Sequence, residues 1–170
     1  LPIRISYYQP WFDNTIFVLE GDHGKLVGDA ECELPESYNH IPLMIYSSRI
    51  QPEEKTAFGG QVDIQPTILG LLNIDYLQNN FGVDLLKEER PCMFYTADNM
   101  VVGRNDTLFY LYNYETQQEF TYHIDNGKLK AVPMDDRFLP LKEYSFSMLQ
   151  SAEFLVKHGK TVNSVPFTQQ

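Results

Sequence analysis

Between Trp11 and Gly24 the chain reads WFDNTIFVLEGDHG, an unbroken apolar run, Ile16-Phe17-Val18-Leu19, that halts at Gly21-Asp22-His23-Gly24. Four residues are too few for a helix, and their β-branched and aromatic character fits a strand buried on both faces. Strands of that kind belong to helix-covered parallel sheets, where ligands gather just beyond the carboxyl ends. The run therefore carries a carboxylate, Asp22, and an imidazole, His23, to an edge suited to a metal ion or a phosphate.

Around this run the rhythm is that of an α/β layer fold. Leu1 to Asp13 carries Tyr7, Tyr8, Trp11 and Phe12 with two prolines, a leading segment that should pack aromatics on the sheet. After Gly24 comes a loop of about fifteen residues holding Asp29, Glu31, Glu33 and Glu36; loops that long in compact domains are uncommon and lean functional. His40-Ile41-Pro42 ends it, and Leu43 to Tyr46 reads as a second strand, with Pro42 suited to its start. A linker from Ser47 to Gly60 leads to a helix that Asp63 can cap, with Pro66 in its first turn, Ile64, Ile68, Leu71 and Leu72 on one face, and Asn73 as its stop. Cys92 to Tyr95 reads as a third core strand. The pattern then changes: Leu108 to Tyr112, Phe120 to Ile124 and Lys128 to Val132 read as antiparallel strands, the last two joined through Asp125-Asn126-Gly127 in a type I′ turn. A closing helix carries Met148, Leu149, Ala152, Leu155 and Val156 on one stripe, with Gly159 as its cap and a tail beyond Lys160. The expected division is an α/β core portion over residues 1–98 and a small antiparallel β segment with a terminal helix over 99–170. A doubly wound sheet needs five or more strands, so the strands lacking here are expected upstream of Leu1.

Composition narrows the function classes. A formal charge of -10 leaves no basic stripe to neutralise phosphates, which argues against a nucleic-acid partner. No run of about 18 apolar residues exists to cross a bilayer, and Leu1-Pro2-Ile3-Arg4 does not open a signal peptide. Cys32 and Cys92 stand far apart with no C-x-x-C spacing, so neither a zinc knuckle nor a redox pair is signalled.

FDNTIFVLEGDHG, then NHIPLMIYSSRI, then GGQVDIQPTILGLLNI, in that order, resemble the carboxy-terminal part of the sulfatase and lipoteichoic-acid-synthase branch of the alkaline phosphatase superfamily. The likeness spans roughly residues 11 to 98. It implies the C-terminal part of an alkaline-phosphatase-like three-layer α/β sandwich, with the antiparallel appendage and terminal helix added. It also implies a metal-dependent enzyme acting on sulfate or phosphate esters, as hydrolase or as phosphoglycerol or phosphoethanolamine transferase. By the resemblance Asp22 and His23 ligate a divalent cation (Mn, Zn, Ca or Mg), and His40 binds a second metal ion or the substrate's oxygens. Such an ion lowers the pKa of a bound hydroxyl and stabilises charge on the transferring oxygens.

Departures from the family pattern carry as much information. The family's nucleophile and first acidic metal ligand belong to its amino-terminal half, so no catalytic residue is expected in this chain, which alone would be inactive. Neither Cys32 nor Cys92 has the Cys-x-Pro-x-Arg setting that formylglycine formation requires. Asp22-His23 in place of Asp-Asn, and His40 in place of a basic residue, tilt the comparison toward phosphotransferases. His123 and His158 read as structural, Asp98-Asn99 as a turn and Lys25 as solvated. The resemblance implies an extracytoplasmic enzyme tethered to the membrane only through upstream segments, and an uncovered sheet edge implies self-association. The alternative is a non-enzymatic anion- or metal-binding domain derived from the same fold; a phosphomutase or nucleotide pyrophosphatase relative is a weaker third reading.

Overall fold

The computed structural model describes residues 7–26 and 28–161; the first six residues of the leading segment, Val27 and the tail from residue 162 lie outside them. The chain divides into two compact units, Leu1–Lys55 and Thr56–Gln170.

In the first unit, the apolar runs form β1 (Phe17–Glu20) and β2 (Leu43–Tyr46), as their composition dictates. Their arrangement corrects the parallel expectation: they pair antiparallel, Phe17 opposite Tyr46 and Glu20 opposite Leu43. Nor are they buried on both faces. The β1 residues Phe17 to Leu19 are half-buried, and Leu43, Met44 and Tyr46 of β2 are exposed. An apolar run reports that a strand wants cover; it does not report whether two or five strands share it. The leading segment does pack aromatics. Phe12, 3% exposed, sits with ring centroids 5.5 Å from Phe17 and 6.0 Å from Tyr46, and Trp11 lies 6.3 Å from Phe17. The long acidic connection contributes an anchor that its sequence hides, Leu34, 1% exposed, followed by a 3-10 turn, Glu36–Tyr38.

The second unit opens with a 3-10 turn, Gln61–Asp63, running into helix α1 (Ile64–Leu71). Asn73 ends it as expected, at φ 53°, its N–H bonded to Gly70 O and that of Ile74 to Leu69 O, the Schellman pairing. Asp63 precedes the helix but caps none of its amides. Its carboxylate is fully buried and accepts from Gly60 N–H and Val83 N–H at 2.8 Å each, from Arg90 Nε at 2.8 Å, and from Arg90 Nη2. Arg90 also donates to Phe81 O at 2.5 Å. This buried pair ties the start of α1 to the segment leading into the sheet.

That sheet has five strands in sequential order, all antiparallel: β3 (Met93–Ala97), β4 (Met100–Arg104), β5 (Leu108–Asn113), β6 (Gln118–Asp125) and β7 (Lys128–Ala131). Two features differ from the sequence expectation. β3 belongs to this meander, and β4 was not foreseen. Asp98-Asn99, at φ 47° and 62°, is the two-residue turn between them, with Ala97 opposite Met100, so the expected division at residue 98 falls on a hairpin turn. The Asn126-Gly127 turn forms as predicted, at φ 48° and 73°. Helix α2 (Leu139–Lys157) follows a 3-10 turn, Asp136–Phe138, capped by Asp135, whose carboxylate accepts from Arg137 N–H at 2.9 Å. Leu141 of the helix and Phe138 of the turn before it join Leu108 and Tyr110 of the sheet in a core, and the buried Ser145 Oγ donates to Val102 O at 3.4 Å. Close approach depends on Gly103, where an added Cβ would lie 2.4 Å from Ser145 Oγ and 2.8 Å from Leu141 Cγ. The predicted stripe is only half-buried, and Val156 is 68% exposed, because the deepest contacts fall in the first two turns.

Candidate metal-ligand loop at the end of β1

Antiparallel pairing changes what gathers at the end of β1. In a parallel pair, the start of β2 would lie a strand length away, about 13 Å for four residues. Pairing Glu20 with Leu43 instead places the segment after β1 beside the segment before β2. Asp22, His23 and His40 therefore emerge from one end of the ladder. A Cβ at Gly21 would meet Ile41 Cγ2 at 3.3 Å, so the two extensions stay in contact past the last ladder pair.

Asp22 and His23 are open to solvent, with side chains 92% and 77% exposed. His23 N–H donates to Asp22 Oδ1 at 3.0 Å, which orients the carboxylate. His23 Nδ1 lies 2.7 Å from Gly24 O. A carbonyl only accepts, so Nδ1 carries the proton and Nε2 is left as the lone-pair donor, the arrangement that metal-ligating histidines use. The Gly24 carbonyl, and after it the charge of Asp22, hold the His23 pKa above the ordinary imidazole range. His23 Nε2 and Asp22 Oδ2 are 3.8 Å apart. Donors that each bind a cation at about 2.0–2.2 Å can be no more than roughly 4.4 Å apart, so one divalent ion can take both. The donor chemistry fits a divalent cation; among the described residues, no group of three His, Cys, Asp or Glu side chains is assembled to complete a shell.

His40 is also exposed and follows the Glu36–Tyr38 turn, its N–H donating to Glu36 O at 2.8 Å. That turn seats against the motif: Gly24 N–H donates to Tyr38 O at 2.8 Å. Sequence reasoning missed the seat. Two buried polar atoms of the same segment, Ser37 Oγ and Asn39 Nδ2, have no hydrogen-bond partner among the described residues. Nothing in a Ser-Tyr-Asn tripeptide announces that.

Of the other residues singled out in the sequence, the two remaining histidines and both cysteines have structural engagements. His123 lies on β6 with its ring 6.1 Å from that of Phe138, and His158 stacks on Phe154 at 4.1 Å while Nδ1 meets Phe154 O at 2.8 Å. Cys32 donates to Leu34 O at 3.1 Å, and burial pushes its thiol up to about 11. Burial likewise raises Cys92, which packs against the core of the second unit. Lys25 is exposed.

Residues 10–74, which contain β1, the ligand loop, β2 and α1, match the Sulfatase family model. Over this stretch the chain is sulfatase-like. It is 28% identical over 134 residues to lipoteichoic acid synthase 1 of Bacillus subtilis, a match covering 71% of this chain and 20% of that protein. Arylsulfatase K of Gallus gallus is 32% identical over 95 residues, or 53% of this chain and 17% of its own length. A structure from Vibrio parahaemolyticus described as a protein of the alkaline phosphatase superfamily superposes with a TM-score of 0.74 at 19% identity, covering 95% of this chain and 39% of that one. A 2-O GAG sulfatase superposes with a TM-score of 0.59 at 17% identity, over 91% and 39%. This sulfatase-like chain thus spans about a fifth of the length of the curated relatives it matches. The superpositions establish the alkaline-phosphatase-like α/β architecture with its antiparallel appendage and terminal helix.

Proposed function

We propose that the chain is part of a longer metal-dependent enzyme that acts on sulfate or phosphate esters, hydrolysing them or transferring a phosphoglycerol- or phosphoethanolamine-type group. Support comes chiefly from one placement: Asp22 and His23 stand exposed at the end of β1, 3.8 Å apart and with Nε2 free, at the same end of the ladder as His40. In this reading Asp22 and His23 supply half a shell for a divalent ion, and His40 holds a second ion or the substrate's oxygens. The nucleophile and the other acidic ligand come from segments outside this chain, where the matched relatives have most of their length. When bound, the ion supplies Lewis acidity to the transferring oxygens. Within this chain, Asp22 orients itself through the His23 amide, and His23 keeps its Nδ1 proton on Gly24 O. The enzyme is extracytoplasmic; among the described residues no helix is long and apolar enough to cross a membrane, and a tether would come from segments outside this chain.

The test uses the full-length protein, with Mn2+ affinity measured by calorimetry and turnover by p-nitrophenyl phosphate and p-nitrophenyl sulfate. Asp22→Ala and His23→Ala are expected to weaken Mn2+ binding and abolish turnover; unchanged binding in both would refute the reading. Mn2+ binding with no turnover of either ester, or of a glycerophospholipid donor, would move the conclusion to a non-enzymatic metal- or anion-binding domain.

A further inference from the structure

We infer that Gly24 is a positioning residue: its seat on the Ser37-Tyr38 backbone sets the spacing between the Asp22-His23 donors and His40. The inference rests on the metal-site reading above and names what holds that site in register. A Cβ at Gly24 would lie 1.8 Å from Ser37 O, 3.0 Å from Ser37 C and 3.2 Å from Tyr38 C. The obstacle is main chain, which cannot rotate aside as a side chain does. Relief requires the Glu36–Tyr38 turn and the loop to part by at least about 1 Å, the scale on which misplaced groups lose function. Gly24 is not among the residues with positive φ, so space and not backbone conformation demands glycine here. Gly28, four residues on, is the converse: φ +88° with nothing within 4 Å of an added Cβ.

The seat matters because the ladder stops short of the site. The last pair is Glu20 with Leu43. Past it, the Gly24 N–H bond to Tyr38 O joins the loop after β1 to the turn before β2, and His40 follows within the same turn, its amide on Glu36 O. The same glycine also supplies the carbonyl that fixes the His23 tautomer. One residue therefore holds the donor ring on one side and the His40 segment on the other. The acidic connection between them forms no helix or strand over the described residues 25, 26 and 28–35, and its buried anchor, Leu34, lies at the far end, beside the Glu36–Tyr38 turn.

Three variants of the full-length protein test this, with Mn2+ affinity and the affinity of inorganic phosphate for the Mn2+-loaded protein as readouts, and circular dichroism to confirm folding. Gly24→Ala is expected to weaken both by about tenfold or more, the usual cost of disturbing what orients a metal ligand. Gly28→Asn, which keeps a left-handed position open, is expected to change neither. Two glycines inserted between Asp29 and Ala30 are also expected to change neither, because the seat and not the connecting loop sets the spacing. A folded Gly24→Ala protein with both affinities within about twofold of the parent overturns the inference, and so does a loss of about tenfold from the insertion. Should Gly24→Ala fail to fold, the insertion decides alone on the same thresholds. If Asp22→Ala itself leaves Mn2+ affinity unchanged, the metal-site reading fails before Gly24 is at issue.

Discussion

Removing Asp63 should unfold the second unit far more readily than any surface change. Asp63 is fully buried, Arg90 is 10% exposed at its side chain, and the two share a two-point contact. The Asp63 bond, opposed by burial, raises the Arg90 pKa, so the guanidinium stays charged. Asp63→Ala leaves that charge without its partner, a loss of about 3–5 kcal/mol for a broken buried pair. For a unit of roughly a hundred residues, that lowers Tm by about 12–20 °C. Replacing both partners, as Asp63→Leu with Arg90→Met, removes the stranded charge; the amides of Gly60 and Val83 still lose their acceptor, at about 1–3 kcal/mol each. The double variant should therefore be no less stable than Asp63→Ala alone. Urea unfolding followed by circular dichroism gives the free energies, and hydrogen exchange at Gly60 and Val83 reports the site. Trp11, the single tryptophan, reports the first unit instead and is the wrong probe. Additive costs in the double variant, or a loss under about 1 kcal/mol in Asp63→Ala, would refute the reasoning.

Gly103→Ala drives a methyl into Ser145 Oγ and Leu141, and should cost about 1–3 kcal/mol in thermal melts, part of it recovered by adding Ser145→Ala. Asp135 is held at about 2, first by the Arg137 side-chain bond and then by the Arg137 amide. Because its folded pKa lies below the unfolded one, near 4, its stabilisation is present above about pH 4 and lost as pH falls toward 2. The Tm difference between the parent and Asp135→Asn should accordingly shrink across that window, and a difference independent of pH would count against the cap. The chain produced by itself exposes Leu43, Met44 and Tyr46 on β2 and should self-associate through that strand; a monomer at high concentration in sedimentation velocity, or association unchanged by Met44→Lys, would contradict it.

Local signals in the sequence were dependable where neighbours in the chain decide the outcome. The runs at Phe17 and Leu43 became strands, Asn73 and Gly159 ended helices, and Asn126-Gly127 turned a hairpin, because each depends on a few consecutive dihedrals. Asp22 and His23 could be singled out because a strand that ends in Gly-Asp-His-Gly must present those side chains at its tip. Strand direction could not be read, since parallel and antiparallel pairs ask for the same apolar run; the actual pairing alone brings His40 to the end where Asp22 lies. Asp63 was legible as a helix start, yet its partner Arg90 is 27 residues away, and no local pattern encodes that distance. Met100 to Arg104 escaped notice because its turn, Asp98-Asn99, carries no glycine, and tertiary pairing holds both residues at positive φ. The sequence by itself determined the elements, their caps and the donor types at the end of β1. Tertiary structure alone decided which faces are covered, which buried charge meets which, and that Gly24 must lack a side chain, because those outcomes depend on distances between segments that the order of residues does not specify.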